Sequence, residues 1–120
     1  IYYNVECNCA GILLIGAGAG RENREHAPQE VMDKVQRWSS LGRQSFEERV
    51  GECNWELALV IPYSAFFKHQ ITSLDGKTVR ANFYKCGDKL QTPHFLSWNP
   101  IALEKPNFHC PEFFGTLNFE

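Results

Sequence analysis

Residues 55–62, Trp-Glu-Leu-Ala-Leu-Val-Ile-Pro, constrain the fold more than any other stretch of this chain. Trp55, Leu57, Leu59 and Ile61 occupy alternate positions, so a strand through them presents one apolar face. The intervening positions pass from polar Glu56 to apolar Ala58 and Val60. That pattern predicts a strand covered on both faces at its far end, hence a central one. Pro62 removes a ladder donor, ends the strand, and suits the first turn of a short helix over residues 63–67. The remaining strands and loops are expected to be arranged around this axis.

A chain of 120 residues with 43% hydrophobic and 13% aromatic side chains can bury a core as one ordered domain. No apolar run approaches the ~20 residues of a membrane helix. The longest, residues 12–19, is interrupted by glycine. A net charge of −2 gives no electrostatic footprint for a nucleic-acid partner, whereas neutral ligands are compatible with it. The five cysteines, Cys7, Cys9, Cys53, Cys86 and Cys110, are odd in number and lack a CxxC. Cys7 and Cys9 would point to the same side of a strand, too far apart for an unstrained bridge. Thiols packed as small hydrophobes are the expectation, and they leave the compartment undefined. With no initiating Met and no signal-peptide pattern, the chain is expected to be a fragment or a processed piece.

Residues 1–9 alternate, with Ile1, Tyr3, Val5, Cys7 and Cys9 inward and Tyr2, Asn4, Glu6 and Asn8 outward. Ala10-Gly11 connects them to a returning strand at residues 12–15, a β-hairpin. Gly16-Ala17-Gly18-Ala19-Gly20 falls short of a dinucleotide fingerprint, because Arg21 stands where the third glycine belongs. Residues 21–26 also carry no apolar stripe, so a flexible glycine-rich loop leading into a charged surface segment is expected. Val31, Met32, Val35 and Trp38 are spaced for a short amphipathic helix over residues 28–38, with Trp38 anchoring it to the sheet. Residues 46–50 predict a short strand whose Glu47 and Glu48 are solvated beside Arg49.

Asp75-Gly76 is a strong turn signal. The strand expected over residues 78–86 turns Val79, Ala81 and Phe83 inward and sets Arg80, Asn82 and Tyr84 together on the other face. A cation, an amide and a ring at that spacing suit a sugar's hydroxyl edge and its apolar face; an ordinary solvated sheet face is the alternative. Pro93, Pro100, Pro106 and Pro111 punctuate the last third, and residues 116–120 alternate as a closing strand. His94, His109 and Cys110 lack a metal-ligand spacing, so no metal site is expected and no cofactor is implied; a structural calcium ion is left open.

Five motifs then appear in order: Val60-Ile61-Pro62, Arg80-Ala81-Asn82-Phe83-Tyr84, Ser97-Trp98-Asn99-Pro100, Phe108-His109-Cys110-Pro111-Glu112-Phe113-Phe114-Gly115, and Leu117-Asn118-Phe119-Glu120. Their order resembles the carbohydrate-binding module family 9-like domains, common in gut Bacteroidetes and attached to xylan-degrading enzymes. The resemblance implies a mainly β fold, an antiparallel β-sandwich of immunoglobulin or jelly-roll type with short helices. Residues 1–120 would be the later part of one such domain, its N-terminal strands supplied by a missing segment or another chain.

The resemblance also implies a site. Phe108 stands where the family's binding modules stack a Trp on the terminal sugar, with Asn107 and His109 beside it; the change to Phe gives a smaller platform. The sugar-binding amide falls at Asn82, and Trp98 matches a Trp found across the family, facing either the core or the ligand. Asn4 and Glu6 lie on the same face by sheet geometry alone. The expected function is non-catalytic carbohydrate binding through Arg80, Asn82, Tyr84, Trp98, Asn107, Phe108 and His109, without nucleic acid or a membrane span. The location implied by resemblance is secreted, periplasmic or cell-surface, within a polysaccharide-degrading system. Two alternatives stand beside it. One is the accessory part of a glycoside hydrolase, which needs two carboxylates ~5–10 Å apart, with Glu6, Glu52, Glu56 and Glu112 the candidates and none paired by pattern. The other is a structural sandwich without a ligand.

Overall fold

The alternation at the start of the chain forms β1 (Tyr2–Cys7), which pairs antiparallel with β2 (Leu13–Gly18). β3 (Arg24–His26) adds antiparallel to the other side of β2, giving the order β1-β2-β3. The computed structural model describes all residues 1–120. They fall into two compact units, Ile1–Ser73 and Leu74–Glu120.

The core of the first unit is built on the inward face of β1 and β2. Leu13, Ile15, Ala27, Val35 and Ala65 form a buried cluster, with Val5, Cys7, Val31, Met32, Ile61 and Phe67 packed against it. Removing Ile15 and Leu13 from water contributes roughly 2–3 kcal/mol each. Tyr3 extends this face: its ring meets Phe66 and Phe67 edge-on, and its hydroxyl accepts from Lys68 N and bonds His69 Nδ1 at 2.8 Å. The 3-10 turn Tyr63–Ala65, which follows Pro62 as expected, is thereby tied to β1. At the start of β1 the expected pattern fails: Ile1 is exposed and Tyr2 is buried.

Four further expectations are corrected here. Gly16, Ala17 and Gly18 lie in β2, not in a loop. A β-carbon on Gly18 would sit 2.0 Å from the Asn23 carbonyl oxygen, and one on Gly16 would sit 2.6 Å from Asn4 Oδ1. Gly18 therefore serves close backbone approach, and Gly16 leaves room for the Asn4 side chain. The helix over residues 28–38 shrinks to one turn, α1 (Gln29–Met32). After it the backbone makes i→i−3 bonds, Lys34 N to Val31 O and Val35 N to Met32 O. It then enters β4 (Gln36–Ser39), where Trp38 is 55% exposed and anchors nothing. The strand expected at residues 46–50 does not form.

The fourth correction concerns the opening stretch. β5 (Leu57–Val60) pairs only with β4, so it is half of a two-stranded ribbon and not a central strand. Leu57 and Leu59 are half-buried as their parity requires, but Ala58 and Val60 are exposed.

In the second unit, β6 (Thr78–Ala81) pairs antiparallel with β9 (Gly115–Asn118), and β7 (Tyr84–Gly87) with β8 (His94–Ser97). The Asp75-Gly76 turn closes through Lys77 N to Leu74 O at 2.9 Å. A second 3-10 turn, Pro111–Phe113, leads into β9, the closing strand predicted from alternation. The mainly β class with antiparallel sheets and short helices is the one observed.

All five cysteines are free thiols. Burial, reinforced by the Glu112 carboxylate, pushes the Cys110 thiol up, and burial does the same for Cys7. A raised pKa leaves little thiolate near pH 8, so iodoacetamide should label exposed Cys53 and Cys86 well before Cys110, as peptide mass mapping would show. Gly18→Ala should lower stability by about 1–3 kcal/mol in urea unfolding, since the new methyl meets backbone. Gly16→Ala should cost less, because it meets only the end of the Asn4 side chain.

Candidate functional site

The expected strand over residues 78–86 is broken at Asn82 and Phe83, and the break decides where the candidate residues go. Asn82 Oδ1 accepts from its own neighbour Phe83 N at 2.9 Å and from Asn99 N at 2.8 Å. Asn82 Nδ2 donates to Asn99 O at 3.0 Å and to Phe113 O at 3.4 Å. A carboxamide offers two donors and two acceptor positions, so all four are committed to backbone. This side chain takes over the ladder's role for one residue, which frees β6 to pair with β9 and β7 with β8. Arg80, Asn82 and Tyr84 consequently do not share one continuous strand face, correcting the expectation built on their spacing.

Arg80 also works within the unit. Its Nη2 donates to Glu112 O at 3.2 Å and Phe114 O at 3.1 Å, gripping the 3-10 turn from the β6 side. Asn99 Nδ2 donates to Phe113 O at 2.8 Å. Three segments, the strand break, the residues after β8 and the 3-10 turn, are held together by Asn82 and Asn99.

Tyr84 and Phe108, 24 positions apart in sequence, are brought face to face. Their ring centroids are 4.3 Å apart and their planes differ by 12°. Phe95, on β8, meets Phe108 edge-on at 6.2 Å. Tyr84 and Phe95 share one face of the β7–β8 ribbon by register and parity, and Phe108 lies upon it. Asn107 Oδ1 accepts from His109 N at 2.9 Å, a local turn that presents the ring between them. Trp98 is on the other parity. It meets Phe83 edge-on at 5.7 Å, lies over Gly115, and is 54% exposed. Of the seven candidates, then, Tyr84, Phe108, Asn107 and His109 are gathered, Arg80 and Asn82 brace the unit, and Trp98 stands apart.

An open depression of about 190 Å³ borders Phe108. Phe95, Leu103, Pro106 and Phe108 provide apolar wall, with Glu104 and Lys105 as its charged groups. Tyr84, stacked on Phe108, does not itself line the depression. Glu104 and Lys105 were missed by sequence reasoning; they sit in a proline-bounded loop with no periodicity to single them out.

The first unit carries its own polar cluster on the outward face of the sheet. Glu6 Oε1 accepts from Asn4 Nδ2 at 2.7 Å and from Arg24 Nη1 at 3.0 Å, above the side-chain-free Gly16. Asn4 and Glu6 were expected on one face; Arg24 was missed, because the segment holding it was read as surface loop rather than as β3.

A family model described as carbohydrate-binding family 9 matches residues 1–119. The chain is also similar to a solved structure from Bacteroides uniformis, that of a protein described as a candidate carbohydrate-binding protein. The two share 70% sequence identity with a TM-score of 0.94, and the match covers 99% of this chain. It covers 55% of the other, so the present chain spans little more than half the length of that relative. No curated protein matches the chain.

Replacing Asn82 by Ala would strip a partner from the Phe83 and Asn99 amides and from the Asn99 carbonyl, while Phe113 O keeps Asn99 Nδ2; a part-buried group left unpaired costs up to about 1–3 kcal/mol. Asn82→Ala should therefore lower the unfolding midpoint strongly and accelerate hydrogen exchange at the Asn99 amide. Asn82→Asp keeps the acceptors and loses the donors, and should fall between the two in both measurements.

Proposed function

The chain belongs to carbohydrate-binding family 9, and on that premise we propose that it binds a saccharide without catalysis, at the depression beside Phe108. The observation that carries this reading is the Tyr84–Phe108 stack, at 4.3 Å and 12°. A pyranose has one C–H face that is apolar and stacks on an aromatic ring, and hydroxyls at its edge that need directed polar partners. Phe108, backed by Tyr84 and flanked by Phe95, is a platform whose orientation is set before any ligand arrives.

In this reading Phe108 is the stacking ring, while Asn107, His109, Glu104 and Lys105 supply hydrogen bonds to hydroxyls. Tyr84 is the backing. Arg80 and Asn82 act as positioning residues in this reading, supported by the bonds of Asn82's amide to backbone N–H and C=O groups and of one Arg80 nitrogen to backbone carbonyls. Trp98, on the opposite parity, lies outside the proposed contact set. Binding requires no proton transfer, so the reading asks for no pair of opposed carboxylates.

The 120 residues act as the later part of a single, longer β-sandwich. The solved relative's greater length supports this, as do apolar side chains left open to solvent at Trp38 and Val60. The proposed setting is a secreted, periplasmic or cell-surface protein of polysaccharide breakdown, in keeping with the Bacteroides relative. No helix is long and apolar enough to cross a membrane.

The test is calorimetric titration of the complete protein with a panel of mono- and oligosaccharides. Phe108→Ala should weaken binding by at least about tenfold, the loss of roughly 1.4 kcal/mol. Trp98→Ala should leave affinity within about twofold. No heat with any saccharide from a folded protein would reject carbohydrate binding; loss with Trp98→Ala but not Phe108→Ala would move the site to the other face.

A further inference from the structure

Two arginines of the first unit converge on the turn that joins β1 to β2. Asn8 organises this turn: its Oδ1 accepts from Ala10 N at 3.0 Å and Ile12 N at 2.9 Å, and Asn8 O accepts from Gly11 N. Gly11 holds a positive φ of 74°, which leaves its side-chain direction empty. Arg43 fills that space, with its Nε 2.9 Å from where a β-carbon would be. Arg37, on β4, donates from Nη1 to Gly11 O at 3.2 Å. Arg43 Nη1 in turn reaches Arg37 O at 3.5 Å.

Neither guanidinium has a carboxylate partner. Elsewhere in this unit Arg24 pairs with Glu6 and Lys68 with Glu25. Arg37 Nε is buried with no hydrogen-bond partner, an unusual state for the strongest donor type in a protein. Both cations also act on the Cys7 thiol, lowering its pKa against the larger effect of burial. Two like charges held at one turn repel each other, and an anion placed between them removes the repulsion and gains charge-assisted hydrogen bonds. Arg37 donates from Nη1 and not from Nε, and Arg43 is exposed, so donors of both remain for an incoming group.

We propose that Arg37 and Arg43 form an oxyanion site on the turn at residues 8–12, taking the carboxylate or sulfate group of an acidic saccharide. The carrier rests on the carbohydrate-binding reading; the charge rests on the arginine geometry alone. Nothing in the Phe108 depression is needed for it, so the two sites are separately testable.

The experiment is an NMR titration of the complete protein, following arginine Nε–H resonances, at constant ionic strength. The probes are sodium sulfate, galacturonate, galactose 6-sulfate and neutral galactose. Sulfate and both acidic sugars should shift the Arg37 and Arg43 signals, with galactose leaving them in place. Whichever acidic sugar binds tighter identifies the group as carboxylate or sulfate. Arg43→Gln should weaken the acidic sugars at least about tenfold with unchanged melting temperature, and Arg43→Lys should fall between because it keeps charge but loses the fork. Arg21→Gln, an exposed arginine of the same unit, should have no effect.

Equal losses in Arg21→Gln and Arg43→Gln would overturn the site in favour of diffuse charge. A response to sulfate without any to the acidic sugars would overturn it as an adventitious ion only. Neutral saccharides binding while acidic ones bind no better would sink this proposal and leave the carbohydrate reading intact. Failure of every saccharide, neutral and acidic, would sink both.

Discussion

Asn82 commits every hydrogen-bonding position of its amide to backbone groups in its own unit, and the arrangement of residues 74–120 follows from that. A strand running on from β6 through residues 82–86 would carry one set of partners along its whole length. The amide interrupts it, so the chain changes partners from β9 to β8 within two residues. The same side chain holds the residues after β8 and the Pro111–Phe113 turn, and the loop bearing Phe108 hangs between those two attachments. Because one part-buried side chain makes all four bonds, they act together as a single constraint rather than as four small ones. The Tyr84–Phe108 stack is downstream of this: Tyr84 begins the strand that the break releases, and Phe108 sits in the loop that the amide pins.

In the first unit the corresponding constraint is space. β2 can approach the chain at Asn23 because Gly18 carries no side chain, and Gly16 leaves room for neighbouring side chains. The room vacated above Gly16 is occupied by Asn4 and Arg24, which meet at Glu6. Below the sheet the same strand presents Leu13, Ile15 and Ala17 to the core. One strand thus has an apolar face that stabilises the unit and a bare face that lets polar side chains gather. The Gly11 turn repeats the principle at the end of the hairpin, where a missing side chain admits Arg43.

What could be read from sequence was whatever a short-range pattern decides. Period-2 alternation located β1 and β9, Pro62 located a helical turn, and Asp75-Gly76 located a turn, since each depends on residues a few positions apart. The failures have a shared origin. Val31 and Val35 fit a helical face, but one turn of helix is too short to sustain itself once Gln36–Ser39 can pair with the distant Leu57–Val60. Gly16 to Gly20 looked like a loop because glycine disfavours strands in general, while this site requires glycine for contact distance. The spacing of Arg80, Asn82 and Tyr84 was real, but a polar side chain that competes with the backbone ladder cannot be told from one that projects outward. Ring pairing was only half legible: resemblance drew attention to Phe108 and alternation to Tyr84, and neither said that the two rings touch.

On the proposed reading, stacking on a single phenyl face would shape what kind of binder the Phe108 site can be. A ring buries about 150–250 Å² when wholly enclosed; one face covered by a sugar accounts for a minor share, worth on the order of 1–2 kcal/mol at ~25 cal/mol per Å². Area alone therefore gives little affinity, and the depression beside it is small. Rigidity compensates in part, because a ring already packed on Tyr84 and Phe95 has less rotamer freedom to lose on binding. Selectivity then falls to the polar groups around the ring, where an unmatched hydroxyl costs more than a lost stacking contact gains. If the proposed site binds as argued, it would discriminate among sugars more sharply than it holds any one of them, and high avidity would have to come from several weak contacts engaged at once along a polymer.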